Sequence, residues 1–261
     1  MKMKFIFLIC FLHIFIGFSI AQEIRQKFIG IETGMTLIGN EITKMDNIRG
    51  DIPAYSGGYS TNVLTSLTYR SFIGVKPEIF SLNDKIGFMA GLRFSRINNS
   101  VGKNSYWSNS TNYFYWLYSQ SGINTEYLKV KEINQKSDYI GIPIEVRYFP
   151  SKRPRLFRVY FKLGAEINYC LQTQTAVVFY DNAMNLYQKD LIATIGKPKA
   201  FNASVYGAGG FRIGRESGLS ASIEVCLPYF LLTRESTGLV NPISGGGFQI
   251  NFQIPLKSIT Q

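Results

Sequence analysis

The chain has 261 residues, of which 46% are hydrophobic, 15% aromatic and 17% charged. It is too apolar and aromatic for a disordered chain and poorer in charge than an ordinary soluble domain. Its single histidine, His13, lies in a segment expected to be removed, so the mature chain is left without Ser-His, Cys-His or His-metal chemistry.

That segment is the first element. Lys2 and Lys4 precede an apolar run from Phe5 to Phe18, and Ser19-Ile20-Ala21 then leads into Gln22-Glu23. Small residues at 19 and 21 match an export signal cleaved after Ala21. The domain proper would then be 22–261. The competing reading is an uncleaved anchor, for which the apolar run is short. Without the signal the chain carries 26 Lys and Arg against 17 Asp and Glu. In an exported protein that surplus points to anionic lipid or sugar surfaces, not to nucleic acid. Cys170 and Cys226 are too few for a disulfide framework.

From residue 28 onward the sequence alternates with a period of two, the mark of strands with two unlike faces. Phe28–Ile38 sets Ile29, Ile31, Met35 and Leu37 against Gly30, Glu32, Gly34 and Thr36. Tyr69–Phe80 sets Ile73, Val75 and Ile79 against Gly74, Lys76 and Glu78. Ile86–Ile97 sets Phe88, Leu92 and Phe94 against Gly87, Gly91 and Arg93. Tyr139–Phe149 sets Ile140, Ile142, Ile144, Val146 and Tyr148 against Glu145 and Arg147. Leu156–Leu171 has an unbroken greasy face from Phe157 to Leu171, opposed by Arg158, Lys162 and Glu166. Phe201–Gly214, Leu219–Phe230 and Gly245–Lys257 follow the same rule, with Arg212 and Glu224 on the polar face.

The connections alternate in length. Short ones fall at 81–85, 150–155 and 215–218, and long ones at about 39–68, 98–138, 172–200 and 231–244. Short turns at one end and long loops at the other predict an all-β fold, an eight-stranded antiparallel up-and-down transmembrane β-barrel. A narrow interior is filled by side chains. Glu32, Lys76, Glu78, Arg93, Glu145, Arg147, Arg158, Lys162, Glu166, Arg212 and Glu224 are expected there as structural ion pairs, not as catalysts. The competing fold is a soluble exported barrel or sandwich, with the greasy rows as its core. Glycine-rich polar rows and unbroken greasy rows favour lipid outside.

The 98–138 segment holds Trp107, Tyr113, Tyr115, Trp116 and Tyr118 among serines and asparagines. Rings with small polar neighbours make contact surfaces, so these five are the candidate binding residues. Their competing role is strand extension and an interfacial aromatic belt. No metal-ligand spacing, phosphate loop or cofactor motif occurs in the mature chain.

The hairpin Ser71-Phe-Ile-Gly-Val-Lys-Pro-Glu-Ile-Phe80 into Ile86-Gly-Phe-Met-Ala-Gly-Leu-Arg-Phe94, the strand Tyr139-Ile-Gly-Ile-Pro-Ile-Glu-Val-Arg-Tyr148 and the Ser-Ile-Ala-Gln junction resemble the PorT-like outer-membrane β-barrel family of the Bacteroidota. The resemblance implies a bacterial outer-membrane location and says little of function. The carboxyl end, Leu256-Lys-Ser-Ile-Thr-Gln261, departs from the usual terminal aromatic signal. The resulting expectation is a non-enzymatic structural or accessory protein with no cofactor. Its partners would be outer-membrane lipid and an envelope protein or surface glycan, with no nucleic acid. The alternatives are a small-solute channel, a lipid-directed enzyme and a soluble binding module.

Overall fold

A computed structural model describes residues 27–43, 47–49, 64–81, 85–103, 113–118, 126–151, 156–214, 218–233 and 238–256. The expected export signal and Trp107 lie outside them. The strands are β1 (Lys27–Ile42), β2 (Ile48–Arg49), β3 (Leu64–Phe80), β4 (Ile86–Ala90), β5 (Leu92–Lys103) and β6 (Phe114–Tyr118), then β7 (Glu126–Tyr148), β8 (Phe157–Phe179), β9 (Phe201–Gly214), β10 (Ser220–Leu231) and β11 (Val240–Leu256). A 3-10 helix (Asn182–Tyr187) and the helix α1 (Gln188–Ile195) follow β8. No helix among the described residues is long and apolar enough to cross a membrane.

The expected eight-stranded up-and-down barrel is corrected here. The sheet is antiparallel and has eleven strands, on the path β2-β6-β7-β4-β3-β1-β11-β10-β9-β8, with β5 off that path. It is not a ring of eight staves: the path runs out at β2, whose one described partner is β6. The added strands have local causes. A Cβ on Gly91 would stand 2.1 Å from the Val75 carbonyl oxygen, and at this close approach the ladder breaks into β4 and β5. Both pieces keep one register on β3, so the alternation stays in phase. β2 and β6 arise within segments expected to be loops.

The long strands nevertheless have partners on both sides. β7 pairs with β4, β5 and β6 along one edge and with β8, from Val130–Phe179 to Tyr148–Phe161, along the other. The sheet is therefore rolled with its polar face inward. Leu163 is 72% exposed and Phe161 58%, while their neighbours Lys162 and Gly164 face in.

β7 and β8 run on well beyond the apolar belt, as 23-residue strands. The described residues of 98–138 and 172–200 are thus mostly strand and helix, not loop. Three register shifts rebuild the inner face there. One extra residue, Leu171, lies between the pairs Tyr139–Cys170 and Asp138–Gln172. Odd residues of β8 point outward below it, whereas Val177 and Phe179 point inward above it. Lys131 on β7 and Ile243 on β11 are skipped in the same way, turning Leu128, Val130 and Val240 inward. A one-residue bulge exchanges the two faces of a strand.

The inward residues above the bulges form an apolar core: Val101, Phe114, Trp116, Leu128, Val130, Val177, Phe179 and Val240, with Leu191 and Ile195 of α1. The helix ends at Gly196, whose φ of +80° is one that glycine adopts without steric cost. Gln135 ties this end down, donating to the Gly196 carbonyl at 3.2 Å and accepting from the Gly238 amide at 3.2 Å. This upper part is called the cap below.

Candidate functional site

The eleven residues expected inside the sheet are all buried on its inward face. Ten of them, from Glu32 to Glu224, join into one network across the interior, while Arg158 lies over the Phe149 ring and donates to the Ser151 carbonyl. Lys76 Nζ lies 2.5 Å from a carboxylate oxygen of both Glu32 and Glu145. Arg93 is clamped by Glu32 at 2.7 Å, Glu145 at 3.1 Å and Glu166 at 2.5 Å, and its guanidinium stacks 4.4 Å from the Phe72 ring. Lys162 reaches Glu224 and Glu145. Lower down, Arg147 bridges Glu78 at 3.0 Å and Glu224 at 2.7 Å over the Tyr160 ring. Buried charges are tolerable when paired and hydrogen-bonded in this way.

Several members escape the sequence reading. Arg70 on β3 pairs with Glu166 on β8 and donates to the Tyr229 hydroxyl at 2.9 Å. Counting back by twos from Lys76 reaches it, so its signal was present. Tyr206 donates to Glu145 at 2.6 Å and Tyr160 to Glu224 at 2.7 Å. Gln253 donates to Glu78. Room for the large rings comes from glycine on the facing strand: a Cβ on Gly164 would stand 2.5 Å from the Tyr206 ring. Phe28, Phe80, Phe149 and Tyr160 cluster beneath the network at the short-turn end. Contacts such as Arg70–Glu166 and Arg147–Glu224 join non-adjacent strands, so side chains occupy the interior rather than line a pore.

The loop aromatics are divided. Trp116 is fully buried in the cap core, which corrects its placement on a binding surface: with Phe114 it sits on the inward face of β6. Tyr118 is half-buried at the edge of that core, donating to Asp190 at 3.0 Å and packing on Tyr187. This hydrogen bond ties β6 to α1. The Asp190 carboxylate pushes the Tyr118 phenol pKa up, and Glu126 does the same to Tyr187.

Tyr113 and Tyr115 point the other way. Tyr113 lies 5.4 Å from Tyr115 and 4.8 Å from Tyr180, and Tyr115 lies 6.1 Å from Tyr127. Lys129 covers the Tyr113 ring at 5.3 Å and Lys131 the Tyr180 ring at 5.4 Å. Tyr127 and Tyr180 are 51% and 52% exposed. The four tyrosines form a continuous face on the outside of the cap. Tyr180 joins it from a segment distant in sequence, placed there by the β7–β8 pairing.

Below the cap, Arg96 and Asp138 form a bidentate pair on the outer face, at 2.7 and 3.0 Å. The hydrogen bond from Arg96 holds the Asp138 carboxyl below its ordinary range, with help from Gln172 and against desolvation. Among the described residues no group of three or more His, Cys, Asp or Glu is placed to hold a metal ion. Cys170 and Cys226 are both free thiols.

No protein-family model matches the chain, so the PorT-like resemblance rests on the motifs quoted above alone. No curated protein matches it either. Among solved structures, the outer membrane protein OprG from Pseudomonas aeruginosa aligns at 13% identity and a TM-score of 0.42, over 91% of this chain and 99% of that one. The transport unit of the autotransporter AIDA-I from Escherichia coli aligns at 7% identity and a TM-score of 0.24, over 90% of this chain and 91% of that one.

Proposed function

We propose that this chain is a non-enzymatic protein of the bacterial outer membrane. Its rolled sheet spans the lipid, and its cap docks an envelope protein or a surface glycan through the tyrosine face. One observation carries the membrane part: the outer face is a belt of exposed Ile, Leu, Val and Phe on all the long strands, while the inner face holds paired charges. In water this would bury ions and expose grease. In lipid both faces meet what they require.

Docking is supported over transport by the filled interior, and over catalysis by the role of the buried carboxylates, which serve as partners for Lys and Arg. Tyrosines interleaved with lysines suit both stacking on sugar rings and hydrogen bonding to a protein.

The test is gel mobility of the protein from isolated outer membranes, with and without boiling in detergent. A heat-dependent shift in that fraction is the expected result. Recovery in a soluble fraction with no shift would overturn the proposal. For the docking part, alanine at both Tyr127 and Tyr180 should weaken capture of a cross-linked envelope partner or of isolated surface glycan at least tenfold, with the mobility shift intact. Unchanged capture would exclude the tyrosine face.

A further inference from the structure

Glycine weakens a strand, and it is found there where something must come close to the backbone. For most of the described strand glycines that something belongs to this chain. An atom stands within 3.3 Å of where a Cβ would be, as the Met35 carbonyl oxygen does at Gly247 and the Tyr206 ring at Gly164. Gly207 and Gly209 on β9 are the exceptions among the described strands. The nearest atom to a Cβ on Gly207 is the Leu227 carbonyl oxygen at 3.5 Å, and nothing lies within 4 Å of one on Gly209. Neither has a positive φ. Neither the packing nor the backbone of this chain therefore requires glycine at these two positions.

Both stand on the outward row of β9, flanking inward Ala208, and Gly207 lines a groove in the outer face of the belt. Ile144, Ala165, Val205 and Phe230 are successive Cα partners across β7, β8, β9 and β10. One step along, Gly207 pairs with Leu163. On its other side it meets two residues of β10, Leu227 and Pro228, which lie between the pairs Cys226–Ala208 and Tyr229–Tyr206. Ala165 and Gly207 thus make a low floor between the taller Leu163 and Phe230. The groove has a volume of about 510 Å³, within the roughly 300–1,000 Å³ of small-ligand sites. Its lining side chains are hydrocarbon apart from Tyr206, whose hydroxyl is turned inward to Glu145 at 2.6 Å.

We propose that this groove seats one acyl chain of a membrane lipid, and that the missing side chain at Gly207 is what admits it. The assignment rests on the lipid-facing reading of the belt. A hydrocarbon chain fits better than a polypeptide, because the lining offers no side-chain partner for a peptide group, which would be left unsatisfied. The groove is also continuous with the exposed apolar belt, so an acyl chain enters it without leaving its own medium. Transfer from lipid to groove brings no hydrophobic gain, and the preference comes from close contact with a concave wall. A several-fold enrichment is therefore expected, not a tight complex.

The test reconstitutes the full chain in phosphatidylcholine vesicles holding a trace of phosphatidylcholine with a diazirine on one acyl chain. After irradiation the adducts are located by mass spectrometry. Adducts at Ile144, Leu163 and Phe230 should exceed those at Ile31, Ile73 and Val75, exposed belt residues on β1 and β3, at least threefold. Gly207→Leu fills the groove and should abolish the excess, with the β1 and β3 adducts unchanged. Ala165→Leu fills the same floor from β8 and decides the matter if Gly207→Leu does not fold. Equal labelling of the two regions, or an excess that survives filling in a folded variant, overturns the site and leaves the belt in lipid. An absence of adducts from both regions defeats the lipid reading, and the site with it. Native mass measurement of the detergent-extracted protein supplies a second arm: a dimer that Gly207→Leu dissociates would give the groove to a second copy of the chain and overturn the acyl-chain site.

Discussion

The belt and the cap are built from the same strands and are inside out relative to one another. In the belt, Glu145, Lys162 and Arg93 are buried while Leu163, Ile142 and Val225 are exposed. A few residues further along β7 and β8, Leu128, Val130, Val177 and Phe179 are buried while Lys129, Lys131 and Glu132 lie toward the outside. The change comes at the bulges, where one extra residue swaps the faces of a strand. A single polypeptide sheet thus presents apolar residues outward at one level and to its own core at the next. On the proposed reading the medium outside decides each arrangement: hydrocarbon forces polar groups inward, whereas water drives apolar groups inward.

The contrast can be broken from either side. The largest effect is expected at Glu145, the carboxylate shared by Lys76, Arg93 and Lys162. Glu145→Leu strips these buried cations of a partner and should destabilise the whole sheet by about 3–5 kcal/mol. Denaturant unfolding of the refolded protein measures it, and loss of less than about 1 kcal/mol would show the network to be dispensable. Trp116→Ala should cost a similar ~3–5 kcal/mol, but confined to the cap. Hydrogen exchange in β6 and α1 should rise sharply while the belt stays protected and the gel shift remains. Global unfolding would show instead that the two regions fold as one unit.

Leu163→Arg introduces a charge at the centre of the exposed belt. In a bilayer it should cost about 2–4 kcal/mol, while the same replacement at exposed Val178 in the cap should be near neutral. Equal costs at the two sites would erase the distinction between the regions. The smallest effect belongs to Asp138. Its carboxyl is held below the ordinary value of about 3.9, so its contribution is present above that pH and is lost as pH falls through the depressed value. Because the Arg96 side chain is half exposed, the contribution is below about 1 kcal/mol. Asp138→Asn should lower stability slightly at pH 7, and the difference should shrink as pH falls below the ordinary carboxylate range, as read from thermal unfolding over a pH series.

The belt was legible because its alternation is strict and uninterrupted. Counting by twos places Glu145, Arg147, Lys162 and Glu166 on one face with no structural information. Alternation could not reveal Gly91 as a break, since the register continues through it. Nor could it reveal the cap. Val177 and Phe179 share the parity of outward-facing Leu163, and only the extra residue at Leu171 turns them inward. A bulge leaves no mark in composition, so 98–138 and 172–200 read as polar loops with aromatics. Trp116 and Tyr113 differ by three residues and have opposite fates for the same reason: face is set by pairing with β7, which the sequence does not display.

The most direct measurement is photolabelling of the protein in native membranes with a lipid-soluble carbene reagent, with the labelled positions read by mass spectrometry. Labels should concentrate at Ile142, Phe161, Leu163, Val225 and Phe252, and should spare both the charged interior and Val130 and Val177 in the cap. A belt that takes no label, in a protein shown to be folded, would contradict the account: its exposed apolar face would then be covered by something other than lipid.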